Sequence, residues 1–271
     1  MKPAPFDMLR PATLPDAVAA MARDEAKIIA GGQSLGPMMN LRLARPALVV
    51  DVTALPGLTD IRDTPQGIEI GAAVTHARIE DGEVPEPVPG LLASVAGGIA
   101  YRAVRNRGTI GGSLCHADPA ADWVTVLTAL GATAIVARGD GANREIAMRD
   151  FILGAYLTAL QPDEMLRLIR IPRYSAQVRW GYDKLCRKVG EFADAMAAVL
   201  IDPDRRICRV VLGALGGAPH VSASLARHIA TTGTPPAIAE IKAALPDACA
   251  VKSHQLAVAL NRAATKALAH D

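Results

Sequence analysis

Aromatic residues are scarce in this chain: three Phe, two Trp and four Tyr among 271 positions. So few rings cannot build the stacking platform on which single-stranded nucleic acid is held. A planar ligand bound here is expected to rest on aliphatic side chains and backbone. An excess of charge of one sign is missing as well. The 29 basic and 27 acidic side chains nearly cancel, leaving +2. That balance gives no electrostatic footing for a DNA- or RNA-binding surface, and nucleic acid is not expected as a partner.

Long apolar runs are lacking too. The longest charge-free stretches, such as Val124–Ala137 and Val210–Ala226, are short or broken by Gly, Pro and His, whereas a membrane span needs about 20 apolar residues. Met1–Arg10 carries Lys2, Pro3, Pro5 and Asp7 and has no apolar core of a secretory signal. The cysteines Cys115, Cys186, Cys208 and Cys249 lie far apart with no C-x-x-C, which argues against a zinc or iron–sulfur site within the chain. A reduced, cytoplasmic protein is the expected setting. Neither G-x-G-x-x-G nor G-x-x-x-x-G-K-[ST] occurs, so a Rossmann site or a P-loop has no support.

The elements that are present alternate between strands and helices. Thr13 precedes Leu14–Arg23, where Leu14, Ala17, Val18 and Met21 recur at helical spacing behind a capping Thr. Lys27–Ala30 reads as a buried strand ended by Gly31-Gly32, with a helix to follow near Pro37. Ala47–Val52 is a further strand, and Ile61 with Ile68–Gly71 forms a hairpin around Thr64-Pro65-Gln66-Gly67. One apolar helix is predicted over Leu91–Val104, and another from an Asp118-Pro119 cap to about Leu130. Ala132–Ala137 and Leu166–Ile171 are predicted strands, the second stopped by Pro172, and Phe151–Ala159 a loop or short element. Beyond a boundary at Pro172–Ser175, Ala195–Ile201 and Ile207–Leu215 form a hairpin, and the rest is helical.

Two glycine-rich segments carry the chemistry. Ala30-Gly31-Gly32-Gln33-Ser34 lies between a strand and a helix, where backbone N–H groups approach a phosphate without Cβ obstruction. Read as Gly32-Gln33-Ser34-Leu35-Gly36, the same residues match G-x-S-x-G, the nucleophile elbow of serine hydrolases. That reading suffers from position: few strands precede Ser34, and only His220 and His228 satisfy the triad order, without a supporting motif. Thr109-Ile110-Gly111-Gly112-Ser113 supplies a second Gly-Gly-x-Ser turn. Two such turns suit a diphosphate gripped from two sides.

These segments, with His116-Ala117-Asp118-Pro119-Ala120-Ala121-Asp122, Asp163-Glu164-Met165-Leu166 and Arg187-Lys188-Val189-Gly190-Glu191-Phe192-Ala193, resemble the FAD-binding medium subunit of the molybdenum hydroxylases. That family includes the flavoprotein subunit of aerobic carbon monoxide dehydrogenase and the flavin domain of xanthine dehydrogenase. The resemblance covers nearly the whole chain. It implies an α+β fold: a two-part FAD-binding domain of the p-cresol methylhydroxylase type over 1–173 (parts at 1–55 and 56–173), then a smaller α+β domain over 174–271. It implies FAD held by Lys27, Ile28, Ile29, Ala30, Gly31, Gly32, Gln33, Ser34 and Leu35 and by Thr109, Ile110, Gly111, Gly112 and Ser113. Asp122, Leu166 and Lys184 match further flavin-proximal positions, and Phe192 falls in the segment beside the flavin ring. No catalytic residue and no metal ligand are implied in this chain. The implied function is electron transfer from a small [2Fe-2S] subunit to an external acceptor. A large molybdopterin subunit would oxidise the substrate, in a dimer of heterotrimers.

Other residues keep two readings. Asp122 falls one turn inside a helix capped by Asp118, where a carboxylate also stabilises the helix dipole. His116 follows the second turn without a visible acid partner, which favours a hydrogen-bonded structural role over proton transfer. His76 and Glu80 stand four apart, a metal-ligand spacing without a third ligand. Arg102, Arg105 and Arg107 suit a solvated face, a diphosphate counter-charge or a docking patch alike. Related chains carry a Tyr-Arg-Arg run where this one reads Lys252-Ser253-His254. Two rivals stand beside the electron-transfer reading: a self-sufficient flavin oxidase of the p-cresol methylhydroxylase type, and a flavin-free scaffold.

Overall fold

The computed structural model describes residues 2–23, 25–245 and 249–269. Its first part is β1 (Asp7–Leu9), α1 (Leu14–Met21), β2 (Ala26–Ile29), α2 (Leu35–Asn40) and β3 (Leu48–Asp51). The strands form a parallel sheet in the order β1-β3-β2, so β2 is an edge strand. Thr13 Oγ1 caps α1 by accepting from the Asp16 N–H, as expected, and the helix stops at Met21 rather than Arg23. Its buried Ala17, Val18 and Ala20 pack with Val50, Val52 and Leu58. The helix after β2 starts at Leu35, with Ser34 as its N-cap, earlier than Pro37 suggested.

The second part begins with β4 (Ile61–Thr64) and β5 (Gly67–Gly71), the predicted hairpin. A run of helices follows: α3 (His76–Glu80), α4 (Leu91–Gly97), α5 (Arg102–Arg105), α6 (Ile110–His116) and α7 (Asp122–Ala129). The chain then returns through β6 (Thr133–Arg138), β7 (Asn143–Ala147), α8 (Met148–Phe151), the ribbon β8 (Ile152–Gly154) and β9 (Leu157–Thr158), and β10 (Glu164–Ile171). These strands make an antiparallel sheet in the order β4-β5-β10-β6-β7. The single helix expected over Leu91–Val104 is two. The Gly97-Gly98 pair ends α4, Ala100 adopts φ 46°, and the Ala100 N–H donates to Gly190 O at 3.1 Å. A tertiary backbone pairing thus outweighs the local helical pattern.

The third part holds β11 (Arg179–Leu185), β12 (Ala195–Asp202), β13 (Ile207–Gly213) and β14 (His220–Val221), then α9 (Ala223–Thr232), α10 (Ile238–Ala243) and α11 (Ala250–Leu268). The sheet order is β11-β12-β13-β14. Every residue of β12 is buried, because α11 covers one face and α7 packs on the other. Small residues permit the close approach of α11: a Cβ on Gly181 would lie 1.8 Å from Ala263 O, and Ala263, Ala264 and Ala267 are fully buried. Lys252, in the stretch that departs from the Tyr-Arg-Arg pattern, donates to Ala214 O at 2.9 Å and to Asp194 O. It thereby ties the start of α11 to the loops beside β12 and β13. The whole is an α+β architecture of the expected class. Among the described residues no helix is long and apolar enough to cross a membrane.

Candidate functional site

The carboxyl end of β2 feeds directly into the first glycine segment, with Lys27, Ile28 and Ile29 on the strand and Ala30 just beyond it. Ile28 and Ala30 pack against the core beneath the parallel sheet. Gly32 adopts φ 69°, the left-handed region that L side chains enter only with strain. Gln33 folds back so that its Nε2 donates to Gly31 O at 3.0 Å. The backbone N–H groups of Gly31, Gly32, Gln33, Ser34 and Leu35 have no acceptor among the described residues; the next, Gly36, donates to Gly32 O at 3.0 Å. Successive open amides, the first two on glycines without a Cβ, are backbone of the kind that can receive an anion. The nucleophile-elbow reading does not survive this geometry. The left-handed residue is Gly32, Ser34 has φ −106°, and its hydroxyl meets no histidine among the described residues; His228 pairs with Glu240 at 3.2 Å instead.

The second segment differs from its expectation: its glycines lie in the first turn of a helix. Thr109 is the N-cap of α6, its Oγ1 accepting from the Gly112 N–H at 3.0 Å. The other amides are engaged as well. Ile110 N–H donates to Val74 O at 3.0 Å, Gly111 N–H to Ala72 O at 2.9 Å and Ser113 N–H to Thr109 O at 3.0 Å. A Cβ on Gly111 would stand 2.5 Å from Ala72 O, so only glycine lets α6 start this close to the end of β5.

The fold brings the two segments into contact. A Cβ on Gly31 would lie 1.9 Å from Arg107 O and 2.8 Å from Gly108 Cα. Residues far apart in sequence therefore share one glycine-lined junction, with open amides on its first side. That donor set fits the anionic diphosphate of a dinucleotide such as FAD.

Asp122, Lys184 and one unforeseen residue form a second cluster. Asp118 does not cap α7: its Oδ1 accepts from the Ala120 N–H at 2.8 Å, inside its own turn, and the helix starts at Asp122. Asp122 is buried, and its Oδ1 accepts from Lys184 Nζ at 2.9 Å and from the Tyr182 hydroxyl at 2.7 Å. Lys184 Nζ also donates to Gly98 O at 2.9 Å, the end of α4, where a cation complements free carbonyls. Burial, and then the Asp122 carboxylate, push the Tyr182 hydroxyl well above its usual range, so it stays a hydrogen-bond donor. Tyr182 was missed because β11 was not foreseen; its alternation is interrupted by Gly181. Leu166 is buried in the core on β10, the strand against which α6 packs.

The remaining candidates find ordinary partners. Glu80 pairs with Arg102 and Arg105, each at 2.7 Å, so it does not join His76 as a metal ligand. Arg102 also holds Asp81, and Arg105 reaches Ile99 O and Ala100 O. The Arg107 guanidinium alone of the three has no partner among the described residues. His76 is buried, and its Nδ1 accepts from Trp123 Nε1 at 3.1 Å. His116 lies against the Tyr156 ring, with centroids 5.2 Å apart. Phe192 is exposed.

A parallel-sheet turn with open amides, joined to a capped glycine helix, is a geometry suited to an anionic diphosphate. Residues 4–174 match the family described as the FAD binding domain in molybdopterin dehydrogenase, and the chain belongs to that family. It is similar to caffeine dehydrogenase subunit beta of Pseudomonas sp. (strain CBB1), 39% identical over 224 residues, or 81% of this chain and 76% of that one. It is likewise similar to the carbon monoxide dehydrogenase medium chain of Afipia carboxidovorans, 38% identical over 204 residues, or 74% of this chain and 70% of that one. Among solved structures, reconstituted CO dehydrogenase from Oligotropha carboxidovorans matches with a TM-score of 0.90 at 30% identity, covering 100% of both chains. Quinoline 2-oxidoreductase from Pseudomonas putida 86 matches with a TM-score of 0.86 at 32% identity, covering 99% of this chain and 98% of that one.

Proposed function

We propose that this chain is the electron-transfer subunit of a molybdenum hydroxylase, with FAD seated at the junction of the two glycine segments. The observation that carries this reading is the contact of Gly31 with the Arg107–Gly108 backbone beside the open amides of Gly31–Leu35. Gly31, Gly32, Gln33, Ser34 and Leu35 would donate to the diphosphate. Thr109, Ile110, Gly111, Gly112 and Ser113 would form its opposite wall, and Asp122 and Lys184 would stand toward the rest of the cofactor. When bound, FAD supplies the exchange of electrons between a [2Fe-2S] centre on a small partner subunit and an external acceptor. The substrate would be oxidised on a large molybdopterin subunit, in a dimer of heterotrimers. Within this chain we assign 1–173 to the FAD unit, in parts 1–55 and 56–173, and 174–271 to a second unit, since the three main sheets each carry an apolar cluster. The four unbridged cysteines suit a reducing cytoplasm.

The test uses the complex that this chain copurifies with, prepared with and without its molybdenum centre. Dithionite is expected to bleach the flavin absorption in both preparations. The physiological substrate is expected to bleach it only where the molybdenum centre is present. Bleaching by substrate at the full rate without that centre would overturn the electron-relay role and make the chain a self-sufficient oxidase.

A further inference from the structure

His76 stands outside the residues assigned to FAD above, yet it touches Gly108, next to the second glycine segment, and Trp123, next to Asp122. One edge of its ring lies under the second glycine segment: a Cβ on Gly108 would meet His76 Cδ2 at 3.0 Å and Nε2 at 3.2 Å. The other edge carries Nδ1, which accepts the hydrogen bond from Trp123 Nε1 at 3.1 Å. Since indole N–H only donates, the imidazole is neutral, with its proton on Nε2. Backbone bonds hold the same place, His76 N–H donating to Gly108 O at 2.9 Å. Gly108 in turn bears against Gly31, and Trp123 follows Asp122 in the first turn of α7. A continuous line of contact thus runs from Gly31 through Gly108, His76 and Trp123 to Asp122.

We propose that the buried His76–Trp123 hydrogen bond is a positioning element that sets the gap between the two glycine segments and their placement against Asp122. The inference rests on the FAD reading above. Its effect is on cofactor retention, because the imidazole packs against the same Gly108 backbone on which Gly31 closes. His76 is a positioning residue and takes no part in the chemistry.

The experiment measures the rate of FAD release from the full chain in the complex it copurifies with, alongside its thermal melting. His76→Leu keeps the bulk and removes the acceptor; Trp123→Phe keeps an aromatic ring and removes the donor. Each is expected to speed FAD release about tenfold, the scale of one buried hydrogen bond left unmade. The double variant is expected to release FAD no faster than the worse single variant, since both remove one interaction. His76→Asn places an amide oxygen where Nδ1 stands, and is expected to stay within about threefold of wild type, well below the loss from an unmade bond. A packing role alone predicts the reverse order, with Leu mild, Asn severe and the two single losses additive; that pattern would overturn the proposal. Should His76→Leu not fold, Trp123→Phe against His76→Asn carries the same contrast. A wild-type complex without FAD would sink the FAD reading itself. FAD lost in Gly32→Val but held normally in His76→Leu and Trp123→Phe would sink only the positioning role.

Discussion

The two glycine segments read alike in sequence and differ in what their backbones do. At Gly31–Leu35 the amides face no acceptor among the described residues, and Gly32 sits in the left-handed region at φ 69°. At Thr109–Ser113 the amides of Ile110, Gly111, Gly112 and Ser113 are engaged by Val74 O, Ala72 O, Thr109 Oγ1 and Thr109 O. The first segment offers donors; the second uses its donors to lock itself to the end of β5. A Gly-Gly pair therefore leaves amides open in one place and serves backbone-to-backbone packing in the other. On this account, damage to the first segment shows mainly in FAD retention, and damage to the second mainly in stability.

The largest effect is expected where the segments meet. Gly31→Ala would place a Cβ 1.9 Å from Arg107 O, a backbone atom that cannot swing away. Overpacking of this kind costs about 3 kcal/mol. A melting curve and the flavin content of the purified protein are both expected to fall. Native melting with full flavin would mean that the segments are not in contact.

Acid is expected to act through His76, which packs beside the second segment. Burial, and then the charge of Arg105, lower the His76 pKa from 6.5 to about 4. Between those values the unfolded chain binds a proton that the folded chain refuses. The contribution of His76 is thus full above about pH 6.5 and is lost as pH falls to about 4, by about 3 kcal/mol in all. Denaturant melts across this window are expected to show a shallower slope for His76→Asn, and equal slopes would remove His76 as the titrating group.

Smaller effects sharpen the contrast. Thr109→Ala removes the cap of α6 and is expected to cost about 1 kcal/mol of stability. Ser34, the N-cap of α2, makes no capping bond with its side chain, so Ser34→Ala is expected to leave melting unchanged and to weaken flavin binding by about 1 kcal/mol at most. If the two variants exchanged these signatures, the division between donor and scaffold would be reversed.

Much of this was legible from local pattern. The strand, glycine turn and helix at 26–40 follow from apolar runs and punctuation, and so do the hairpins at 61–71 and 195–213. The rest depends on tertiary pairing that local pattern does not carry. Asp118-Pro119 looks like a helix cap, yet its carboxylate bonds to Ala120 and leaves Asp122 to begin α7. The apolar stretch after Leu91 continues past Gly98, but Ala100 is drawn away by Gly190. Arg102, Arg105 and Arg107 were indistinguishable by type until Glu80 and Asp81 engaged the first two. The junction itself, Gly31 on Gly108, exists only once the parallel sheet and the helix run after β5 are packed together.

The most direct test of the central claim is the FAD content of the purified complex carrying Gly32→Val. A branched side chain at φ 69° strains the turn that presents the open amides, and its Cβ would stand 3.2 Å from Ile29 Cδ1. The account predicts stoichiometric FAD in the wild-type complex and almost none in the variant, with assembly and melting of the remaining fold largely retained. A full equivalent of FAD in Gly32→Val would contradict it, and would place the cofactor away from the first glycine segment.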